Sequence, residues 1–155
     1  MQVKIKKLHQ DAVTPTYAKH GDAGMDLTAI SKSYDDHGNV VYGTGLAFEI
    51  PLGFVGYIFP RSSNAKKDLI LSNSVGVIDS GYRGEVSFKF KQAARPYDWH
   101  HDLSSYQIGD RVGQLIIMPI PKIEFVEVDE LSQTDRGVGS FGSTDPITKS
   151  IEDNC

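Results

Sequence analysis

The sequence predicts an all-β fold, and a sandwich, a jelly roll and a barrel are the architectures open to it. Helical periodicity is nearly absent from the 155 residues. Short runs rich in β-branched and aromatic residues recur instead, separated by Gly, Pro, Asn and Asp. Many short strands in one chain of this size must pack as sheets around one core. A chain this long buries roughly two-thirds of its unfolded surface, so it needs no metal or disulfide to fold.

Ten segments have the pattern of strands. Residues 86–91 alternate apolar and polar, which predicts a half-buried strand, whereas residues 111–118 are apolar almost throughout and predict a strand buried on both faces. A short helix is expected after Ser62, Ser63 and Asn64, with its body over residues 65–68. The predicted strands are 3–8, 25–30, 40–42, 46–50, 54–59, 69–71, 76–78, 86–91, 111–118 and 123–128.

Two polar segments do not fit the strand pattern. Residues 93–106 are expected to form a long polar loop, and the chain from about residue 132 is rich in Gly, Ser, Thr and Asp. Such a composition cannot bury enough apolar surface to fold by itself. We therefore expect a β domain over residues 1–131 and a flexible Gly-rich arm over residues 132–155.

Charge and cysteine content narrow the functional class. The net charge is -4, and proteins that bind long nucleic acid usually carry a basic face, so no direct nucleic-acid binding is expected. The only cysteine is Cys155, which excludes an internal disulfide scaffold. The first residues, MQVKIKKLHQD, contain no apolar core of a signal peptide, and no apolar run approaches the length of a membrane span. A cytoplasmic location without membrane contact is the expectation.

Five short segments carry residue types suited to phosphate chemistry. Taken singly, the third is typical of an ordinary hairpin, the second of a helix cap beside a solvated arginine, and the fifth of a disordered tail. The segments are AGMDL (23–27), PRSS (60–63), GVIDSGYRG (76–84), GDRVGQ (109–114) and RGVGSFGST (136–144). In order and spacing they resemble the five motifs of the trimeric dUTPase family, and they span nearly the whole chain.

This resemblance implies a fold, a reaction and an assembly. The fold would be the jelly-roll-like β-clip of dUTPases, assembled as a homotrimer with shared active sites. The reaction would convert dUTP to dUMP and pyrophosphate by water attack on the α-phosphorus with Mg²⁺, which limits uracil in DNA and supplies dUMP for dTMP synthesis. Asp79 would be the general base, and Gln114 would help to hold the water and a phosphate oxygen. Asp26 would be partly an ion-pair residue and partly a holder of the metal's water shell.

The resemblance also implies a set of substrate-binding residues. Tyr82 would stack under the deoxyribose and block a 2′-hydroxyl, and Phe141 on the arm would cover the uracil. The uracil pocket would be the hairpin with Asn73, Gly76, Val77 and Ile78. The phosphates would be bound by Arg61, Ser62, Ser63, Arg136, Gly142, Ser143 and Thr144.

Two rival functions and three departures from the family pattern accompany this interpretation. A dCTP deaminase has a similar fold and an Arg-Ser-Ser segment, but it needs a catalytic glutamate where this chain has Lys89. A non-catalytic binding protein on the same scaffold is the second rival. Gly113 replaces a usual alanine, and Ser140 and Asp145 replace usual glycines. The WHHD sequence at residues 99–102 is more typical of a surface loop than of a metal site.

Overall fold

A computed structural model of the chain describes residues 1–93 and 105–140. Within them, ten strands and a 3₁₀ helix are formed. In chain order they are β1 (Lys4–Lys7), β2 (Met25–Thr28), β3 (Ser31–Tyr34), β4 (Val40–Gly43), β5 (Leu46–Glu49), β6 (Phe54–Phe59), the 3₁₀ helix (Ser62–Lys66), β7 (Leu69–Leu71), β8 (Gly76–Ile78), β9 (Ser87–Gln92) and β10 (Arg111–Pro119). The predicted all-β class is confirmed.

The strands form three antiparallel sheets. One four-stranded sheet has the order β2-β10-β6-β8, the other has the order β3-β4-β9-β7, and β1 pairs with β5 in a two-stranded sheet. β10 lies between β2 and β6, with Gln114 opposite both Asp26 and Phe59. This register brings the first, second and fourth motifs together at one place in the sheet.

The core takes side chains from all three sheets. Leu27 and Leu115 come from the first sheet, Phe88 and Phe90 from the second, and Leu46 from the third. Both phenylalanines are fully buried, and each such side chain stabilises the fold by about 1.5–3 kcal/mol. The predicted alternation along residues 86–91 is confirmed, because Ser87, Lys89 and Lys91 point away from this core.

A strand that the sequence did not predict is β3. Its residues Ser31–Tyr34 are mostly exposed because, in the part of the chain that the structure describes, β3 lies at the edge of its sheet and pairs only with β4. The turn that follows is held by Asp35, whose carboxylate accepts hydrogen bonds from the backbone N–H of His37 and from the backbone and side chain of Asn39. These bonds, led by the Asn39 amide, hold the pKa of Asp35 well below its usual value.

The strand predicted at residues 123–128 is wrong. This segment is apolar, but Ile123, Phe125 and Val126 are 63%, 93% and 79% exposed. No strand among the described residues pairs with it. A strand needs partners for its backbone N–H and C=O groups, and the described residues of the chain supply no such strand here.

Two further predictions need correction. Residues 111–118 do form a central strand, but it is fully buried only around Val112 and Leu115, and Met118 is half exposed. The helix begins at Ser62 rather than after Asn64, and it is a single 3₁₀ segment without a side-chain cap. The sequence Ser-Ser-Asn favours local backbone bonds over a longer α-helix, which accounts for its shortness.

The chain divides into two compact units, Met1–Lys122 and a second that begins at Ile123. The second unit is described as far as Ser140 and contains two short turns. The N–H of Gly137 donates to the carbonyl of Thr134 at 3.0 Å, and the N–H of Gly139 donates to the carbonyl of Arg136 at 3.1 Å. Within the described parts of the chain, no helix is long and apolar enough to cross a membrane.

Candidate functional site

A first cavity, the hairpin pocket, opens beside β8 and the turn that follows it. It encloses about 230 Å³ and includes Asn73, whose side-chain amide can bond a ligand. The lining residues are Ile58, Asn73, Gly76, Val77, Ile78, Asp79, Tyr82, Glu85, Val86 and Ser87. Every hairpin residue predicted to bind the base or the water therefore lies here.

The hairpin pocket has an open backbone edge because β8 is the last strand of its sheet. Among the described residues β8 pairs only with β6, so no described strand uses its other edge. Gly76 lies opposite Ile58, and a Cβ at Gly76 would overlap the Ile58 side chain. Glycine thus lets the two strands approach closely, in addition to leaving room for a planar ligand.

The turn after β8 is closed by backbone and arginine hydrogen bonds. The N–H of Tyr82 donates to the carbonyl of Asp79 at 3.0 Å. Nη1 of Arg83 donates to the carbonyls of Ser80 and Tyr82 at 2.7 and 2.8 Å. The Asp79 side chain is exposed at this turn and lines the pocket.

The Tyr82 ring is held against the backbone of the hairpin. Its hydroxyl donates to the carbonyl of Glu85 at 3.0 Å, and the side chain remains 45% exposed. A Cβ at Gly84 would overlap the ring. Gly84 therefore permits the ring position, and nothing in the sequence besides its place in the third motif singles it out.

A second cavity, the arginine pocket, lies where β2, the end of β6 and β10 meet. It also encloses about 230 Å³. Its lining residues are Ala18, Asp22, Ala23, Gly24, Asp26, Arg61, Ser62 and Gln114. Each cavity is smaller than the roughly 300–1,000 Å³ of typical ligand sites, so neither alone suits a whole nucleoside triphosphate.

Asp26 is the centre of the charges in the arginine pocket. Its Oδ1 accepts from Nε of Arg61 at 2.6 Å, and its Oδ2 accepts from Nη2 of Arg61 at 3.4 Å and from Nη1 of Arg111 at 2.9 Å. The carboxylate is 20% exposed. The expected ion pair is present, and it has a second arginine, Arg111, that sequence reasoning missed. This two-point pairing fixes the plane of the Arg61 guanidinium.

Gln114 joins the first two motifs across the sheet. Its Nε2 donates to the carbonyl of Pro60 at 3.0 Å, next to Arg61. A Cβ at Gly24 would overlap the Gln114 amide oxygen, so glycine at this position makes room for the side chain. Gln114 is both a satisfied glutamine and a lining residue of the arginine pocket.

The structure explains why this chain has Gly113 where the family pattern has alanine. A Cβ at Gly113 would overlap the ring of the buried Phe88 and lie 2.9 Å from the carbonyl oxygen of Phe59. The Phe88 ring therefore fills the space that the methyl group of an alanine at position 113 would occupy, so the core stays closely packed with glycine there.

The residues of the rival deaminase reaction have structural partners. Lys89 projects outward and pairs with Asp35 at 3.1 Å. Glu85 lines the hairpin pocket, but its Oε1 accepts from the backbone N–H of Gly45 at 2.7 Å. Gly45 has a φ of 65°, so Glu85 stabilises a left-handed turn. No carboxylate takes the place of the deaminase glutamate on β9.

The remaining predicted site residues fall into three groups. Ser63 accepts from Nη1 of Arg61 at 3.3 Å rather than lining the cavity. Arg136 lies in the second unit, where its Nε donates to the carbonyl of Gly139 at 3.3 Å. Outside the described residues lie Phe141, Gly142, Ser143 and Thr144, as well as Asp145 and the WHHD sequence at 99–102.

Comparisons with known proteins identify the family of the chain. The dUTPase family model matches residues 10–145. A "Deoxyuridine 5'-triphosphate nucleotidohydrolase" of Nautilia profundicola is 40% identical over 93% of this chain and 99% of its own length. The dUTPase of Staphylococcus bacteriophage 80alpha, solved as a variant with dUpNHpp, superposes with a TM-score of 0.78 at 28% identity, covering 92% of this chain and 98% of that one.

A further solved structure bears on the metal. A variant dUTPase from phage phi11 of S. aureus, described as coordinating a structural Mg(II) ion, superposes with a TM-score of 0.69 at 26% identity and covers 84% of this chain and 98% of that one. The matches extend over both pockets and the strands that carry them. With a family model spanning most of its length and a relative at 40% identity, this chain belongs to the dUTPase family.

Proposed function

We propose that this chain hydrolyses dUTP to dUMP and pyrophosphate at a site built from the hairpin pocket and the arginine pocket. The observation that carries the proposal is the exposed carboxylate of Asp79 in the turn of a hairpin whose outer backbone edge is open. A base bound to that edge brings its ribose and α-phosphate toward the carboxylate.

Base selection follows from the hairpin backbone. The edge of β8 offers fixed N–H and C=O groups, and Asn73 adds an amide. A buried site that hydrogen-bonds one base edge rejects a mispaired base by roughly 10⁴-fold, because its polar groups are left unsatisfied. The Tyr82 ring, whose hydroxyl donates to the Glu85 carbonyl beside Gly84, packs in this proposal against the deoxyribose and excludes a 2′-hydroxyl.

The reaction itself is an in-line displacement at the α-phosphorus. Asp79 accepts a proton from the attacking water, and pyrophosphate leaves from the opposite side. Arg61 stabilises the charge that develops on the phosphate oxygens, and Asp26 holds its guanidinium plane in place. Gln114, fixed on the Pro60 carbonyl, is placed to orient the water or a phosphate oxygen.

The active site is shared between subunits of a homotrimer. The hairpin pocket and the arginine pocket have no lining residue in common among the described residues, and each is too small for the whole substrate. The apolar side chains of Ile123, Phe125 and Val126 are exposed on the single chain, as expected of a segment that packs on a neighbouring subunit. The pocket of one subunit would then face the complementary pocket of another.

Mg²⁺ is the metal that the site suits. Within the described residues no cluster of three or more metal-binding side chains occurs, and Mg²⁺ commonly keeps waters and binds substrate phosphates rather than a protein cage. Asp26 has lone pairs beyond those used by its arginines and can accept from a metal-bound water. When bound, Mg²⁺ neutralises phosphate charge.

The residues from about 132 onward act as an arm that completes the site. Arg136 supplies a cation, and the sequence that follows supplies Phe141 to cover the base and Gly142, Ser143 and Thr144 to bind phosphates. The described part of this arm is exposed and turns tightly at Gly137, whose φ is 51°. Closure of such a segment excludes water from the reacting phosphate.

The test is a pyrophosphate-release assay with dUTP, dCTP, dTTP and UTP, run on the wild-type chain and on Asp79→Asn. The wild type should hydrolyse dUTP in strong preference to the other three. Asp79→Asn should lower kcat by at least about 10³-fold while it retains affinity for a non-hydrolysable dUTP analogue, because it loses the base but keeps the shape. Ammonia release from dCTP, or equal turnover by the variant, would contradict the proposal.

A further inference from the structure

We propose that Arg111, which a β-bulge in β10 turns toward Asp26, is a positioning residue for the phosphate-binding arginine, Arg61. It acts through the Asp26 carboxylate. Arg111 is not among the site residues predicted from the sequence, and it lines neither pocket. This role rests on the proposed hydrolysis of dUTP and deepens it, because Arg111 holds the carboxylate that in turn holds Arg61.

The β-bulge lies near the start of β10, where this strand pairs with β2. Gly113 of β10 lies opposite Leu27 of β2. The next pair along the ladder is Arg111 with Thr28. Val112 is therefore an extra residue between these two pairs. A bulge of this kind bends the strand and re-aims a side chain, and bulges are over-represented beside active sites.

The bulge sets Arg111 on the face of the sheet that carries Asp26. Residues opposite each other on paired strands share a face, as Gln114 and Asp26 do. In an unbroken ladder Val112 would lie opposite Thr28, and Arg111 would point to the other face, into the core. With the bulge, Val112 is fully buried in the core. Arg111 takes the place opposite Thr28, with its side chain 53% exposed.

The two arginines divide the oxygens of Asp26 between them. Oδ1 accepts from Nε of Arg61 at 2.6 Å, whereas the contact of Oδ2 with Nη2 of Arg61 is longer, at 3.4 Å. The shorter bond to Oδ2 comes from Nη1 of Arg111, at 2.9 Å. A carboxylate bonded firmly at one oxygen can turn about that bond, and Arg111 prevents this by holding the second oxygen. The Arg61 guanidinium lies against the carboxylate in a fork, so its direction follows that of Asp26.

Burial makes the alignment depend on these bonds. The side chains of Asp26 and Arg61 are 20% and 26% exposed, so water competes only weakly for their polar atoms. Hydrogen bonds to charged groups in such a setting contribute more than ion pairs at the open surface. Arg111 reaches Asp26 from the solvent side, so its replacement should not disturb the core.

The experiment measures dUTP hydrolysis and urea unfolding for Arg111→Met, Asp26→Asn and the double variant. Arg111→Met keeps an unbranched side chain and removes every donor. It should lower kcat about tenfold and change KM less than about threefold, because alignment of Arg61 matters most when charge develops on the phosphate. In the Asp26→Asn background the same substitution should cost less than about twofold, since the carboxylate through which Arg111 acts is gone.

Lys89→Met is the matched control. Lys89 pairs with Asp35 at 3.1 Å, and its side chain is 53% exposed, as that of Arg111 is. The carboxylates of the two pairs are also similar, with Asp35 18% and Asp26 20% exposed. The two methionine variants should therefore shift the urea midpoint by similar amounts. Lys89→Met should keep kcat within about twofold of wild type, which separates alignment of the site from a general loss of stability.

Arg111→Lys tests the geometry of the contact. Arg111 bonds Asp26 through one nitrogen, so an ammonium group can supply the same bond. This variant should keep kcat within about threefold of wild type. Arg61 bonds Asp26 through two nitrogens of a planar fork, so Arg61→Lys should lose far more activity than Arg111→Lys.

Several results would overturn the role of Arg111 while the proposed function stands. They are unchanged kcat in Arg111→Met, an equal fold loss from this substitution with and without the Asp26 carboxylate, and a loss in Lys89→Met as large as that in Arg111→Met. If Arg111→Met does not fold, Arg111→Gln takes its place in the same comparison, with the same expected and contradicting results. Failure of the wild type to release pyrophosphate from dUTP would instead contradict the proposed function.

Discussion

The hairpin pocket and the arginine pocket are built in different ways. The hairpin pocket is shaped by backbone: a short edge strand, a closed turn and glycines that let side chains approach. The arginine pocket is shaped by side chains, with the Asp26 carboxylate between Arg61 and Arg111. Backbone geometry suits the discrimination of a flat base, whereas charge suits a phosphate that changes during the reaction.

Because of this difference, the two pockets should respond to different kinds of substitution. Shape is altered by an added methyl group, which moves a wall of the hairpin pocket by a few tenths of an ångström or more. The charge of the arginine pocket is altered by substitution of the Asp26 carboxylate alone, which removes the ion-pair partner of both Arg61 and Arg111. Substrate choice should therefore depend on glycines of the hairpin, and rate should depend on the ion pairs of the arginine pocket.

Of the three substitutions that compare the two pockets, Asp26→Asn is expected to have the largest effect. The change removes the charge that aligns Arg61 and Arg111, which should lower kcat/KM by about 10²-fold and stability by about 1–3 kcal/mol. Steady-state kinetics and urea unfolding measure both. Glu49→Gln is the control, since it removes a carboxylate paired with Lys4 on the surface and should change neither quantity much. If Asp26→Asn lost little activity, the proposal that catalysis depends on Asp26 aligning the two arginines would be contradicted.

An intermediate effect is expected for Gly84→Ala. The new methyl group would displace the Tyr82 ring, so exclusion of a 2′-hydroxyl should weaken and the preference for dUTP over UTP should fall about tenfold. Gly81→Ala is the control in the same turn, because a Cβ there would have open space. Selectivity that is unchanged in Gly84→Ala, or equally reduced in both variants, would show that the ring position does not set the choice.

The smallest effect on catalysis is expected for Gly113→Ala, which alters the core behind both pockets. The methyl group would press on Phe88, and such overpacking costs about 1–3 kcal/mol, while kcat should stay within about twofold. Adding Phe88→Leu should recover part of the stability, because it makes room for the methyl group. Thermal unfolding of the single and double variants checks this, and additive losses would contradict the proposed compensation.

The sequence predicted the hairpin pocket more completely than the arginine pocket. Val77, Asp79 and Tyr82 are neighbours along one strand and its turn, so their position follows from local order. The arginine pocket depends on a register that sets Gln114 opposite Asp26, and on arginines from different strands. Pairings of that kind join residues that lie far apart in sequence, which is why Arg111 was missed.

Two errors in the predicted fold, the missed strand β3 and the strand expected at residues 123–128, have the same origin. The edge strand β3 is polar because only one neighbour covers it, so its residues do not show the alternation that marks a half-buried strand. Residues 123–128 do show an apolar pattern, yet they form no strand because no described residue of the chain covers their apolar side chains. The apolar pattern of a segment indicates which of its faces can be buried. Whether that face is buried depends on which strands the fold places beside it.

The most direct test of the central claim mixes two inactive variants. Asp79→Asn disables the hairpin pocket and Arg61→Ala disables the arginine pocket. If the two pockets meet between subunits, co-assembled chains in equal amounts should recover about a quarter of the wild-type sites. A mixture of Asp79→Asn with Asp79→Ala, both in the hairpin pocket, should recover nothing. No recovery in the first mixture, with co-assembly verified by differently tagged chains, would contradict the shared site.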